Sequence, residues 1–251
     1  MAPDGLSLEV LNPEAPLSVV LVHGAPDRGT TFRPLLPYLG GFRVVVYDRR
    51  GYGRSLTAKP PETMADHAND LLSIVADQPT PCVVVGHSFG SNPSMLAASL
   101  QPGAVAALGV WEPPLPWVDW WPNQEYYAGV VAAEDSGAVV VDLARRILGD
   151  QLWDSLDDDA RELRRAEGPA FRTDIASQLT PPFEFSDVTV PTVVAYGTET
   201  MEDRKKGAPW LVERLRDASM FVVEGAGHWG HRTHPAQFAG FVRAVVAAGT
   251  F

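Results

Sequence analysis

The chain is organised around the stretch Val83-Val84-Val85-Gly86-His87-Ser88-Phe89-Gly90-Ser91. An apolar run leads into a Gly-x-Ser-x-Gly pentapeptide, and a segment of small residues that suits a helix follows it. This order predicts a strand, a sharp turn and a helix, with glycines where the turn leaves no space for side chains. Ser88 is then expected to project its hydroxyl from the edge of a sheet, as a nucleophile does. The alternative is an ordinary Gly-Ser loop, and the flanking strand and helix argue against it.

Composition indicates one globular domain with a sizeable core. The chain has 251 residues, of which 45% are hydrophobic, and single α/β domains of this length are common. Its net charge is −11 and it has no basic cluster, so nucleic acid is not expected as a partner. The acidity is interpreted as a solubility feature.

Cysteine usage and the N-terminal residues indicate a compartment. The single cysteine, Cys82, cannot form an intrachain disulfide, which suits a reducing cytoplasm and a buried structural thiol. The polar residues 1–5 do not read as a signal peptide, and no apolar run reaches the length of a membrane span. We therefore expect a cytoplasmic protein that does not use a membrane as a partner. The sequence leaves the oligomeric state unknown.

Apolar strands alternate with longer connecting segments through most of the chain. Strands are predicted at 6–11, 17–22, 42–47, 82–85, 105–111, 192–196 and 220–223, and helices at 34–39, 63–76 and 92–100. The first strand alternates apolar and polar residues, as an edge strand does, whereas the next is apolar throughout, as a strand buried on both faces is. Thr63 and Asp66 are spaced like a capping box at a helix start. The expected fold is α/β, with a mostly parallel central sheet covered by helices on both faces.

One segment breaks this alternation. From Trp111 to Pro191 no strand is evident, and helical patches occur instead near 124–133, 139–148, 153–166 and 170–178. Prolines cluster at both ends of the segment, which is typical of hinges. We predict a helical cap or lid at residues 113–185, inserted into a core made of residues 1–112 and 186–251. Four aromatic residues are predicted to line an apolar substrate pocket beneath the cap, with packing of the cap onto the core as the alternative reading: Trp111, Trp117, Trp121 and Trp229.

Four motifs together carry a resemblance to a known family. They are His23-Gly24, Asp48-x-Arg50-Gly51-x-Gly53-x-Ser55, Gly86-His87-Ser88-Phe89-Gly90 and Gly225-Ala226-Gly227-His228. Each follows an apolar strand, and they occur in the order found in the α/β-hydrolase fold. The chain resembles an enzyme of that family with a helical cap, and the resemblance covers nearly all of it. The resemblance implies the α/β-hydrolase fold and a Ser-His-acid catalytic triad.

A serine nucleophile needs a base and donors for an oxyanion. His228 follows the last predicted strand through a glycine-rich turn, and the resemblance implies that it is the general base for Ser88. Phe89, directly after the nucleophile, offers its backbone N–H at a helix N-terminus, and the resemblance implies that Ala25 supplies the second N–H. His87, inside the turn, is expected to point away from Ser88.

The acid position departs from the family pattern. Many members carry an aspartate where this chain has Thr200, so that position lacks a carboxylate. Glu112 at the end of the preceding strand is one candidate, and Pro113 is expected to hold it in an extended conformation. The other candidates are the acids near position 200, namely Glu199, Glu202 and Asp203. A pair of Ser88 and His228 without any acid is the remaining alternative.

These observations predict a cofactor-independent serine hydrolase that cleaves a small to medium, largely apolar ester or lactone through an acyl-enzyme. A dehalogenase or epoxide hydrolase of this fold would need an aspartate in place of Ser88. No metal is predicted, because the glycines and proline around His228, His231 and His234 argue against a ligand-bearing helix. The alternatives are a carbon–carbon bond hydrolase, another cofactor-free enzyme of the same fold, or a ligand-binding protein that is not catalytic.

Overall fold

A computed structural model describes residues 5–249, in which seven strands form one sheet. The strands are β1 (Leu8–Leu11), β2 (Ser18–Val22), β3 (Arg43–Tyr47), β4 (Cys82–His87), β5 (Ala107–Trp111), β6 (Thr192–Gly197) and β7 (Ala218–Val223). They lie in the order β1-β3-β2-β4-β5-β6-β7, and only β1, at the edge, runs antiparallel to its neighbour. The predicted α/β class and mostly parallel sheet are confirmed.

Ten α-helices accompany these strands in the described residues. They are α1 (Met64–Ala76), α2 (Ser91–Leu100), α3 (Gln124–Ala132), α4 (Ser136–Leu148), α5 (Asp150–Asp154), α6 (Asp158–Arg165), α7 (Gly168–Ala176), α8 (Glu202–Val212), α9 (Gly230–Thr233) and α10 (Pro235–Ala248). The backbone N–H of Thr63 donates to the Asp66 carboxylate at 3.0 Å, so the predicted capping box starts α1. The segment expected to be helical at 34–39 is only a short 3₁₀ turn at Leu36–Leu39, and α8 to α10 were not foreseen.

Successive residues of the inner strands pack on opposite faces of the sheet. Val20 and Val84 belong to an apolar cluster that includes residues of α1, α2 and α8. Their chain neighbours Val19 and Val83 belong to a second cluster that includes residues of α10. Because side chains alternate along a strand, an all-apolar strand contributes to both layers at once. This explains why the sequence of β2 and β4 shows no polar alternation.

The segment between β5 and β6 is helical, as predicted. Helices α3 to α7 lie here, and we refer to residues 124–176 as the helical insertion. Residues of the insertion such as Tyr127 and Phe171 form a separate buried cluster with Trp121, which precedes α3. The cap limits at residues 113 and 185 remain a prediction, because packing does not by itself define a domain boundary.

A buried ionic network joins the helical insertion to the sheet. Arg49, just after β3, donates to Asp174 of α7 at 2.8 Å, and neither side chain is exposed. The Tyr52 hydroxyl also donates to Asp174, at 2.6 Å, and His67 of α1 lies 2.8 Å from its other oxygen. Removing one partner of such a pair costs about 3–5 kcal/mol, because the other charge is left buried without compensation. The network therefore fixes α7 against the core.

Two histidines of this region are held neutral. His23 Nε2 accepts the backbone N–H of Arg49 at 2.8 Å, while Nδ1 donates to the carbonyl of Gly24 at 2.8 Å. Burial, with a further contribution from Arg49, lowers the pKa of His23 to about 3. The same two causes lower the pKa of His67, although Asp174 acts in the opposite direction. Both imidazoles are thus neutral in the folded protein at neutral pH.

Because these histidines are neutral in the folded protein, we expect the protein to lose stability as the pH falls. In the unfolded chain His67 binds a proton below its ordinary pKa of 6.5, whereas the folded protein resists that proton. The free energy of unfolding should therefore fall as pH drops below that value, by up to about 1.4 kcal/mol per pH unit for this histidine until its folded pKa is reached. Urea unfolding at several values between about pH 7.5 and about pH 5.5 measures the slope.

His67→Gln provides the comparison, because it removes this one titrating group and leaves the others. The variant is expected to be less stable than the wild type at neutral pH but to lose stability less steeply as the solution is acidified. Asp27, whose pKa is raised to about 6 by burial, contributes in the opposite direction in both proteins and cancels from the difference. Equal slopes for the two proteins would show that His67 is not held neutral.

Candidate active site

The turn after β4 places Ser88 in a strained backbone conformation. Its φ is +52°, in the left-handed region that residues with a side chain rarely adopt. A Cβ at Gly86 would lie 2.5 Å from the Cα of Ser91, and one at Gly90 would lie 2.4 Å from the carbonyl oxygen of Val22. The predicted strand, sharp turn and helix are confirmed, and both glycines are required by close backbone contacts.

Ser88 and His228 line the same cavity. Its volume is about 310 Å³, and Gly24, Ala25 and Phe89 also contribute to its wall. The opposite side comes from the helical insertion and is mainly apolar, with residues that include Tyr127, Leu143, Ile147, Phe171 and Ile175. The cavity therefore lies between the carboxyl edge of the sheet and the insertion, which is where binding sites form in parallel α/β sheets.

The imidazole of His228 is held by a buried carboxylate. Its Nδ1 lies 2.6 Å from Oε2 of Glu112, and the Glu112 side chain is not exposed to solvent. Oε2 also accepts the Thr200 hydroxyl at 2.7 Å, and Oε1 accepts the backbone N–H of Gly197 at 3.0 Å. With Nδ1 protonated towards Glu112, Nε2 of His228 is left as the basic nitrogen.

The structure brings only one of the candidate acids to His228. Glu199 and Glu202 are exposed, and Glu202 pairs with Lys205 at 2.9 Å. Asp203 lies beside Arg204, with 3.7 Å between Oδ2 and Nε. Glu112 is thus the carboxylate in contact with the imidazole.

The backbone of Glu112 is not extended. Its φ is +47°, so the expectation that Pro113 keeps this residue in the strand direction was wrong. The strain of a left-handed residue is of the order of 1–3 kcal/mol. Three donors to one buried carboxylate outweigh it, since a hydrogen bond to a charged group contributes about 1.5–3 kcal/mol. The turn lets the side chain reach the end of β6.

Among the tryptophans predicted to line the pocket, only Trp229 does so. Trp111 is fully buried against Phe238, with 4.8 Å between ring centroids, and its indole N–H donates to the carbonyl of His228 at 2.9 Å. The assignment of Trp111 to the substrate pocket is therefore corrected. It supports the loop that carries His228.

Trp117 and Trp121 are also outside the cavity lining. Trp121 is buried in the cluster that it forms with Tyr127 and Phe171, and the partly buried Trp117 packs against that cluster. The guanidinium of Arg204, which does line the cavity, lies 4.6 Å from the centre of the Trp121 ring. Trp121 is thus one layer behind the wall. Sequence position within the insertion does not reveal which side of a helix faces the cavity.

His87 lies closer to the site than the sequence suggested. It lines the cavity, and its Nε2–H donates to the carbonyl of His228 at 2.9 Å. The expectation that it points away from the Ser88 side was wrong. Arg204 and Gln178 also line the cavity and were not foreseen. Arg204 gave no signal because a helical Arg-Lys-Lys sequence normally reads as a solvated face.

Three histidines were considered as a metal site from the sequence: His228, His231 and His234. A different set of residues has its ligand atoms close together. Asp27, His87 and His231 are the described residues whose ligand atoms all lie within 4.8 Å of one another. His228 faces Glu112 instead. The converging set comes from three different loops, so no spacing motif marks it.

Comparison with known proteins identifies the family. The model of the alpha/beta hydrolase family matches residues 19–241, and the chain belongs to this family. A putative carbamate hydrolase of Caulobacter sp. is 28% identical over 239 residues, which cover 88% of this chain and 87% of that protein. The solved structure of a putative non-heme bromoperoxidase from Mycobacterium tuberculosis superposes with a TM-score of 0.75 at 16% identity, covering 100% of this chain and 98% of that one, and it shows the fold alone.

Some of the other matches are local. A probable oxidoreductase of Mycobacterium tuberculosis is 40% identical over 98 residues, which are 36% of this chain but only 16% of that protein. The matching proteins are thus named for several different reactions. A shared fold does not determine which reaction a protein catalyses. Within residues 5–249 no helix combines the length and apolar character needed to cross a bilayer.

The close contacts of the turn predict a large effect of one methyl group. Gly90→Ala should destabilise the protein by about 1–3 kcal/mol, because its Cβ would lie 2.4 Å and 2.5 Å from the backbone oxygens of Val22 and His23. Gly129→Ala, in the exposed part of α3 with no atom within 4 Å of the added Cβ, should be neutral or stabilising by up to about 1 kcal/mol. Urea unfolding of both variants tests the contrast. Similar stability changes in the two would contradict a tight turn.

Proposed function

We propose that this chain is a cofactor-independent serine hydrolase that cleaves a carboxylic ester or lactone through an acyl-enzyme. The observation that carries the proposal is the hydrogen bond of 2.6 Å between the buried Glu112 carboxylate and Nδ1 of His228, on a cavity that Ser88 also lines. In serine enzymes that transfer acyl groups, an acid orients a histidine, and that histidine acts as the base for a neighbouring serine.

The residues then take the following roles. Ser88 Oγ attacks the substrate carbonyl while Nε2 of His228 removes its proton, and Glu112 stabilises the imidazolium that forms. The backbone N–H groups of Ala25 and Phe89 stabilise the oxyanion. His228 passes its proton to the leaving alcohol, and a water molecule activated by the same imidazole releases the acid product. This cycle needs no cofactor.

The shape of the cavity supports the substrate class. A volume of about 310 Å³ is at the small end for ligand pockets, and the wall contributed by the helical insertion is largely apolar. The proposed substrate is therefore small to medium in size and largely apolar. A serine in the turn also favours carbonyl substrates over epoxides, for which this fold would need an aspartate there.

The nucleophile is tested by Ser88→Ala. Covalent labelling by a fluorophosphonate probe should be lost, and turnover of short p-nitrophenyl esters should fall by a factor of at least about 10³, because the residual rate comes from binding and the oxyanion donors alone. Labelling is measured by intact mass and turnover by absorbance. Ser91→Ala, at the first residue of α2, removes another buried hydroxyl and is the matched control.

Ester turnover near the wild-type rate in Ser88→Ala would overturn the proposed mechanism. A wild-type protein that is labelled but hydrolyses no ester in a series of chain lengths would retain the serine nucleophile and exclude the ester assignment. These two results separate the mechanism from the substrate class.

The acid is tested by Glu112→Gln. The amide cannot stabilise an imidazolium, and the corresponding change in a serine protease costs about 10⁴ in turnover, so a fall of that order is expected with similar binding of substrate. Glu199→Gln and Glu202→Gln are matched controls of the same chemistry at exposed positions and should stay within about tenfold of wild type. Steady-state ester kinetics compare the three variants.

Thr200→Asp in the Glu112→Gln background extends the test. Because the Thr200 hydroxyl already contacts the Glu112 carboxylate, a carboxylate at position 200 lies within reach of His228 and should restore part of the lost rate. A nearly silent Glu112→Gln variant would mean that the Ser88 and His228 pair works without this acid.

A further inference from the structure

Three titratable side chains converge beside the proposed active site. Asp27, His87 and His231 each place one ligand atom within 4.8 Å of the ligand atoms of the other two. Each of these side chains also has one atom that is shielded from solvent and has no hydrogen-bond partner among the described residues: Oδ2 of Asp27, Nδ1 of His87 and Nδ1 of His231. Buried polar atoms normally have a partner, so three unpaired atoms in one cluster call for a common explanation.

The hydrogen bonds on the other side of each ring define what these nitrogens offer. Nε2 of His87 is 2.9 Å from the carbonyl of His228, so it carries the proton and Nδ1 carries a lone pair. Nε2 of His231 is 2.8 Å from the Thr31 hydroxyl. A hydroxyl can accept as well as donate, so one tautomer of His231 has its proton on Nε2, donated to Thr31, and a second lone pair on Nδ1.

With this tautomer the cluster presents two imidazole lone pairs and a carboxylate oxygen. We propose that Asp27, His87 and His231 form a binding site for a divalent transition-metal ion, with Zn²⁺ as the ion that the donor set fits. Two imidazoles and one carboxylate are a common zinc ligand set, and magnesium or calcium would require oxygen ligands.

The geometry allows an ion after small adjustments. A point between three atoms that are at most 4.8 Å apart lies no more than about 2.8 Å from each of them, and zinc takes imidazole nitrogens at about 2.0–2.1 Å. Each side chain thus moves inward by about 0.7 Å at most. The contacts of His87 and His231 with a backbone carbonyl and a hydroxyl are the outer contacts that orient metal-binding histidines.

The position of the three ligands indicates what an ion does there. Asp27 is two residues after Ala25, His87 directly precedes Ser88, and His231 is three residues after His228. One ion would therefore link the three loops that carry the proposed oxyanion donor, nucleophile and base. We infer a structural or regulatory ion that fixes the relative position of these loops, separate from the bond-breaking step.

Nearby cations oppose the ion and offer a further test. The guanidinium groups of Arg164 and Arg232 act on the Asp27 carboxylate, and Arg232 also acts on His231. Their charge raises the electrostatic cost of a second cation at this point. Arg232 is exposed, so its charge can be removed with little effect on packing. Arg232→Gln is expected to tighten metal binding.

The experiment uses the whole chain, treated with a chelator and returned to metal-free buffer. Titration with ZnCl₂ by calorimetry should show one equivalent bound and a rise in thermal midpoint, because an ion that binds only the folded state stabilises it. CoCl₂ should give the visible absorption of a four- or five-coordinate ion with nitrogen and oxygen ligands. MgCl₂ at the same concentration should produce neither effect.

Variants assign the site. Asp27→Asn and His231→Gln should each weaken zinc binding by at least about tenfold and abolish the cobalt spectrum, with circular dichroism showing that each is folded. His234→Gln, in the same segment but outside the converging set, is the matched control and should bind as the wild type does. Absence of zinc binding by the wild type, or equal binding by wild type and Asp27→Asn, would overturn the proposal.

Discussion

The arrangement of the site depends on the buried carboxylate of Glu112. A charge with no exposure to solvent is stable only where donors surround it, and here they come from the end of β6, from Thr200 and from His228. Gly197 and Thr200 belong to one turn after β6 and His228 belongs to a separate loop, so satisfying one carboxylate fixes Glu112 relative to both segments. The left-handed backbone of Glu112 follows from this requirement, because a residue that continued straight along β5 would aim its side chain elsewhere.

Parallel pairing explains why these groups meet at all. His87 at the end of β4 pairs with Trp111 at the end of β5, so the next residues, Ser88 and Glu112, leave adjacent strands at the same level. Gly86 pairs with Val22, which brings the loop after β2 to the other side of Ser88. Both Ser88 and Glu112 have a positive φ, so the chain turns sharply at each of these residues, where it leaves β4 and β5. The parallel pairing places Ser88 and Glu112 at the same edge of the sheet, and their left-handed backbone sets the direction of their side chains.

The sequence predicted what depends on local pattern and on motif order. The inner strands were evident as apolar runs. The turn around Ser88 was marked by Gly86 and Gly90, where close backbone contacts leave no room for a side chain. Glu112 was recognised as one candidate because it ends an apolar strand. What the sequence could not show depends on long-range contacts, such as the pairing of Arg49 with Asp174, which are separated by 125 positions. For the same reason Trp111 was assigned to a pocket although it packs in the core, His87 was expected to point away from Ser88, and Asp27 was not considered.

The threonine at the family's usual acid position is part of the same arrangement. A hydroxyl at position 200 cannot stabilise an imidazolium directly, but it donates to the carboxylate that contacts His228. Thr200 therefore contacts the negative charge, which is supplied by Glu112 directly after β5. On the other side of the imidazole, Trp111 and His87 both donate to the backbone carbonyl of His228, which fixes the loop independently of the acid. The loop is thus held by one set of donors, and the ring is held separately by the carboxylate of Glu112. His228 is therefore positioned by two separate sets of contacts, one to its backbone and one to its ring.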